Sequence, residues 1–279
     1  MDIYYSNMQS EKWKGIKIAP FPMLMAYYDY KTKGLTRQKA ASKVILDSGA
    51  FSAYRKKIII DIKKYIDFIK ENENKIDNVV ALDIFNKDEE SYKNYIKMKM
   101  AGINCIPVFH IDADKKYLKL YIKETNYIGL GGVALLRPLE RKSFITNIFR
   151  EYPDPSQIGF HGFGISDERA LLSYPWKSVD SRSAHLAARF GSIHCPWGVI
   201  RINPNMPKNG PAAILWQMSK FKVDKITEYF NDIGVDLEIA KLQNPKGQTE
   251  RCKASIIYFE KNIKPKVPIY FTTKSNYLF

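Results

Sequence analysis

Short, unbroken apolar runs alternate along this chain with longer stretches whose apolar positions recur every three or four residues. The unbroken runs lie within 20–30, 44–54, 79–85, 106–112, 127–136, 158–166, 177–179 and 197–205. Within them apolar residues follow one another instead of alternating with polar ones, the pattern of parallel strands buried on both faces. The stretches between are helical in period. In 60–72 the apolar positions are Ile62, Tyr65, Ile66 and Ile69. Residues 88–101 repeat the pattern, with Gly102 behind them as a stop, and 114–125, 140–150, 167–173 and 182–191 follow. A short helix is expected at 36–43, and residues 1–15 read as a polar start.

About eight such units in roughly 200 residues predict an α/β fold, a (β/α)8 TIM barrel in preference to an open doubly wound sheet. From Pro211 the pattern changes. Residues 211–233 and 249–263 read as lysine-rich helices, and the closing PIYFTTKSNYLF reads as a late strand or a tail. The expected organisation is a barrel core over 1–210, with a basic, mainly helical extension over 211–279 packed on the same domain.

A barrel of this kind gathers the polar residues at the C-terminal ends of its strands at one mouth. Here those residues are Asp47, Asp83, His110, Gly131, Gly132, His161 and Asp180, each interrupting an apolar run. Each alone has a plainer reading. Asp47 before Ser48-Gly49 suits a turn, Asp83 and Asp180 suit helix caps, and His161 suits a buried core histidine. At consecutive strand ends they make a site. Behind Asp180, Arg182, His185 and Arg189 recur at spacings of three and four, near one helix face, where phosphate could dock.

Composition sharpens the partner. Apolar content of 45% and charged content of 26% are ordinary, but 44 Lys+Arg against 29 Asp+Glu leave a net charge of +15. A surface so basic attracts polyanions, nucleic acid first among them. Part of the lysine excess accompanies a general bias toward Lys, Ile, Asn and Tyr, so the charge supports this reading without deciding it. Cys105, Cys195 and Cys252 form no CxxC pair. They indicate neither a disulfide framework nor a sequence-local zinc site, and incidental thiols are favoured over a metal shared by His194, Cys195 and Cys252. No signal-like or membrane-spanning apolar run is seen, so a cytoplasmic protein with no membrane partner is expected. GLGG at 129–132 is not a dinucleotide fingerprint, and the chain has neither a P-loop nor a GxSxG elbow.

Paired aspartates at strand ends suit attack on a sugar anomeric carbon, one as nucleophile and one as acid/base, because the transition state is cationic. Asp83 with the Gly131-Gly132 backbone suits recognition of a heterocycle, since a carboxylate accepts N–H bonds and glycine admits close approach.

These residues resemble the guanine transglycosylases, represented by tRNA-guanine transglycosylase and its DNA-modifying relatives. DSGAF at 47–51 resembles a strand ending in Asp-Ser-Gly-Gly, and Leu82-Asp83 one ending in Phe-Asp. GGVA at 131–134 resembles Gly-Gly-Leu-Ala, and HGFG at 161–164 a Gly-x-Gly strand end. Asp180 precedes Ala188-Arg189 and Gly191 at the offsets that follow the family's nucleophile. The resemblance implies that Asp180 attacks C1′ of a guanosine unit and that Asp47 takes a proton from the incoming base. It implies that Asp83 and the Gly131-Gly132 backbone bind the base edge, with Ser48, His110, His161 and Gly162 around the pocket. No cofactor is implied.

The departures point to the substrate. Ala50-Phe51-Ser52 stand where the tRNA enzymes have Gly-aromatic-Gln, Leu135-Leu136-Arg137 where they have Val-Gly-Glu, and Ala184-His185-Leu186 where they have Pro-Thr-Arg. The tRNA enzymes' zinc subdomain of three Cys and one His has no counterpart, and Cys252 stands alone in that region. These departures resemble the zinc-free transglycosylases of phages and bacterial modification islands, which install 7-deazaguanines in DNA. The expected partners are thus DNA and a free 7-cyano- or 7-aminomethyl-7-deazaguanine base, with room for a protein that opens the duplex. tRNA is the alternative substrate. A non-catalytic nucleic-acid-binding barrel and a hydrolytic glycosylase are the competing classes.

Overall fold

The computed structural model describes residues 1–6, 20–30, 41–203 and 213–263, which fall into two compact units divided between Ser181 and Arg182. That division lies ahead of the 210/211 boundary expected from the change in pattern.

The first unit is α/β. Its strands are β1 (Asp2–Ser6), β2 (Phe21–Ala26), β3 (Ala41–Asp47), β4 (Asn78–Val80), β5 (Cys105–Ile106), β6 (Val108–His110), β7 (Tyr127–Gly131), β8 (Gly159–Gly162) and β9 (Ser178–Ser181). They form one nine-stranded sheet in the order β5-β4-β3-β2-β1-β9-β8-β7-β6, and every pairing is parallel. The two ends of that order, β5 and β6, are separated in the chain by Pro107 alone, so the sheet curls nearly shut into a barrel. Proline removes a ladder donor, and a strand broken there can bond a different neighbour on each side. Ala81 N–H donates to Ile106 O at 2.9 Å, while Gly129 N–H donates to Pro107 O at 2.8 Å.

Helices follow the strands: α1 (Tyr27–Tyr30), α2 (Ala50–Arg55), α3 (Ile62–Glu71), α4 (Asp88–Met100), α5 (Lys115–Glu124), α6 (Pro138–Glu151) and α7 (Glu168–Ser173). Local chemistry sets their ends. Asp61 caps α3 by accepting from Lys63 N–H and Lys64 N–H, and Asp114 caps α5 through Lys116 N–H. The α3 stripe buries Tyr65, Ile66, Phe68 and Ile69, close to the face its period predicts. Helix α4 opens on Asp88, Glu89 and Glu90 and closes on Lys97 and Lys99, matching its dipole at both ends.

Tyr4, Ile45, Val80, Ile106 and Val108 form one buried apolar cluster contributed by five of the strands, with Leu24 and Tyr127 packed against it. Side chains two residues apart share a face of a strand. Two residues beyond Tyr4, Ile45 and Val108 stand Ser6, Asp47 and His110. Polar groups therefore sit one layer above the apolar layer, at the strands' C-terminal ends.

The second unit carries α8 (Ser183–Arg189), then β10 (Ser192–Cys195), β11 (Gly198–Arg201) and β12 (Ala213–Ile214). Helices α9 (Lys220–Asp232), α10 (Leu237–Lys241) and α11 (Pro245–Tyr258) follow. Its core gathers Ile193, Cys195, Ile200, Leu215, Ile226 and Phe230. Buried Arg251 donates from Nε to Ala188 O at 2.7 Å and from Nη1 to Leu242 O at 2.9 Å, satisfying carbonyls at two helix ends.

Three expectations are corrected. The start read as polar holds β1, which lies between β2 and β9 and buries Ile3, Tyr4 and Tyr5. The run 197–205, expected as the eighth barrel strand, supplies β11 instead, which pairs antiparallel with β10 in a separate three-stranded sheet. Of the helix expected at 36–43, residues 41–43 belong to β3 and 36–40 lie outside the described residues, as does PIYFTTKSNYLF. No helix among the described residues is long and apolar enough to cross a membrane.

Candidate functional site

Two polar groupings stand at the strand ends of the first unit. The first joins β3, β4 and β6. Asp47 closes β3, and its Oδ2 accepts Gly49 N–H at 3.0 Å. The turn requires Gly49: its φ is +76°, and a Cβ there would lie 2.6 Å from Tyr28 Cβ. Ser48 is fully buried, and its Oγ donates to Asp83 Oδ1 at 3.4 Å. Asp83 follows β4, and its Oδ2 lies 2.8 Å from His110 Nε2 at the end of β6. A carboxylate against Nε2 selects the tautomer with the proton on that nitrogen. Gly131 makes room for this ring, since a Cβ there would come within 2.9 Å of His110 Nδ1 and Cε1. Gly132, at φ +77°, turns the chain out of the strand into a short helical turn. A cavity of about 210 Å³ opens beside His110, lined also by Phe85, Asn86, Asp88 and Asp112.

The second grouping joins β1, β7, β8 and β9. Asp180 is buried in β9, paired in register with Tyr4 of β1. Its Oδ1 accepts Gly164 N–H at 2.7 Å, and its Oδ2 accepts the Ser6 hydroxyl at 3.3 Å. These bonds replace the N-cap role open to it in the sequence, for the residue capping α8 is Arg182. His161 is fully buried and places Nε2 3.7 Å from Asp180 Oδ1. Its Nδ1 lies 2.6 Å from Ser178 Oγ, which in turn meets the Tyr127 hydroxyl. Gly162 admits a different neighbour: a Cβ there would sit 2.7 Å from Ile165 and 2.8 Å from Trp176.

Electrostatics couples the two groupings. The Asp47 carboxyl is pushed up to about 7, first by burial, then by the Asp83 carboxylate and, more weakly, by Asp180, against the pull of the Gly49 and Ser48 N–H groups. Near neutral pH it therefore exists in both protonation states, as a group that passes protons must. Two carboxylates in one mouth with differing surroundings can divide acid–base and nucleophilic work.

The first unit thus brings together Asp47, Ser48, Asp83, His110 and Gly131, with Asp180 and His161 in the second grouping. Arg182, His185 and Arg189 belong to the second unit, at the start, middle and end of α8, where both arginines are exposed. Reading the sequence passed over Ser6, Tyr127 and Ser178. Only the two-residue spacing of Ser6 from Tyr4 and of Ser178 from Asp180 hinted that they share the inward face. Gly164 was legible only as part of HGFG. The three cysteines are buried and unbridged, and no group of three or more His, Cys, Asp or Glu among the described residues is arranged to hold a metal.

No known family model matches the chain, and no curated protein matches it.

Proposed function

We propose that this chain is a DNA-guanine transglycosylase that exchanges guanine for a 7-deazaguanine base, on a (β/α)8 barrel in which β5 and β6 count as one strand interrupted at Pro107. The observation that carries the reading is the contrast between the two carboxylates. Asp47 is held at about 7, and Asp180 is buried with N–H and O–H donors on its oxygens.

The chemistry balances on this pair. Asp180 attacks C1′ and forms a glycosyl ester as the bond from C1′ to the guanine nitrogen breaks. Asp47, protonated, gives its proton to the departing base. The incoming 7-deazaguanine returns a proton to Asp47 and attacks C1′, and the ester bond breaks to restore the Asp180 carboxylate. The Asp83–His110 pair, Ser48 and the Gly131-Gly132 backbone read the base edge. The target nucleotide must leave its stack to reach such a mouth. Arg182, His185 and Arg189 hold phosphates. DNA is favoured over tRNA by the departures at Ala50-Phe51-Ser52 and Ala184-His185-Leu186.

The test is to incubate duplex DNA with 7-cyano- or 7-aminomethyl-7-deazaguanine and the protein, digest, and measure modified deoxynucleoside by mass spectrometry. Incorporation by the wild type and none by Asp180→Asn is expected. Undiminished incorporation by that variant would remove Asp180 as nucleophile. Incorporation into tRNA alone would move the substrate to RNA, and guanine release without incorporation would make the protein a hydrolase.

A further inference from the structure

Fully buried His161 holds a nitrogen, Nε2, that has no hydrogen-bond partner among the described residues and lies 3.7 Å from Asp180 Oδ1. Its other nitrogen sits in a file of hydroxyls: Nδ1 is 2.6 Å from Ser178 Oγ, which is 2.5 Å from the Tyr127 hydroxyl. The register aligns this file, since His161 pairs with Ser178 and Gly129 of β7 pairs with His161. The rings of Phe163 and Tyr4 pack edge-on at 4.5 and 6.2 Å and hold the imidazole in place.

The direction of the file follows from which protons exist. In its neutral form the imidazole carries one. Placed on Nδ1, it would leave the Nε2 lone pair facing a carboxylate oxygen, a repulsive arrangement in a buried site. The Tyr127 hydroxyl, pushed up to about 12 mainly by burial, keeps its proton and can donate to Ser178 Oγ. Ser178 is then free to donate to Nδ1, and the imidazole proton falls on Nε2.

We propose that Tyr127, Ser178 and His161 form a one-way hydrogen-bond relay that fixes the Nε2–H tautomer and turns it on Asp180 Oδ1, making His161 a positioning residue that selects Oδ2 as the attacking oxygen. Oδ1 is already engaged by Gly164 N–H at 2.7 Å, whereas among the described residues Oδ2 has the longer Ser6 contact at 3.3 Å. A movement of about 1 Å brings His161 Nε2–H within bonding distance of Oδ1. The carboxylate is then pinned by one oxygen and reactive at the other. The kinetic part of this inference rests on Asp180 being the nucleophile, and the tautomer does not.

Two readouts test it. The ring nitrogens of ¹⁵N-histidine protein, with His161 assigned by difference from His161→Gln, report the tautomer without any substrate. Nε2–H at pH 7 is expected, and an Nδ1–H ring would overturn the relay whatever the protein's activity. The rate of covalent adduct formation with DNA is then compared between variants. His161→Phe, which keeps a ring but no donor, should lose about tenfold or more with the KM for DNA unchanged. His161→Gln, whose amide N–H reaches toward the Nε2 position, should recover most of that loss. Equal losses in two folded variants would make His161 a packing residue and overturn its positioning role. An absence of adduct in the wild type would count against the transglycosylase reading, and the nitrogen shifts would still decide the tautomer.

Discussion

Asp47 carries the clearest consequence at the scale of single residues. The fold raises its carboxyl to about 7, chiefly by burial and the Asp83 carboxylate, so the folded chain holds this proton more tightly than the unfolded one. The stability it contributes is complete below about pH 4 and is lost as pH rises through about 7. Asp47→Asn should therefore melt several degrees above wild type at pH 8, a gain on the order of 1–3 kcal/mol, and level with it near pH 4. Scanning calorimetry at the two pH values checks this, and an equal gain at both would remove the titration as its cause. The same variant should lose the inflection near pH 7 in the rate of base exchange. Gly131→Ala tests the His110 side of the same grouping. Its Cβ would crowd His110 at 2.9 Å and Val108 at 2.7 Å. It should cost about 1–3 kcal/mol and separate His110 from Asp83, visible as a changed His110 ring signal. These residues were legible because a carboxylate, a histidine or paired glycines at the end of an apolar run has few structural uses. Ser6, Ser178 and Tyr127 were not, because a hydroxyl in a strand looks the same whether it serves solvent or a buried imidazole.

At the scale of elements, β1 shows where local pattern misleads. Its five residues are too few for periodicity, and the polar residues that follow make it read as a start. Yet it holds β2 on one side and β9 on the other, and it supplies Ser6 to Asp180. Tyr5 is 1% exposed and meets the Phe21 ring edge-on at 5.5 Å. Tyr5→Ala should cost about 3–5 kcal/mol by chemical denaturation, a loss no ordinary leading segment would produce. The run at 197–205 misled in the opposite sense. Pro196-Trp197, with Gly198 at φ +95°, joins β10 to β11. A two-residue connection can only make an antiparallel hairpin, whereas parallel strands need a crossover. That turn was the signal against a barrel strand. Most βα units were recovered because their apolar runs are continuous and their helices carry caps and a clear stripe.

For the whole molecule, the net charge of +15 and the nearly closed parallel sheet make separate statements. The charge concerns what approaches. Binding to DNA should weaken steeply between 50 and 200 mM salt, by about 10³-fold if some six phosphates are neutralised, and fluorescence anisotropy would read that slope. The sheet concerns what happens afterwards, by collecting at one end of its strands two carboxylates that lie far apart in sequence. Parallel order was legible in unbroken apolar runs. Closure was expected from the count of units, but its means was not legible, because it depends on Pro107 letting β5 and β6 bond different neighbours, and proline within a run reads only as an interruption. The central claim is that Asp180 becomes covalently attached to a sugar, and trapping tests it most directly. Wild type and Asp180→Asn are incubated with guanine-containing DNA, denatured, and the protein is digested for peptide mass spectrometry. The claim predicts a DNA-linked species that survives denaturation, maps to the peptide bearing Asp180 and is absent from the variant. An adduct on another residue, or base exchange that proceeds with none, would contradict it.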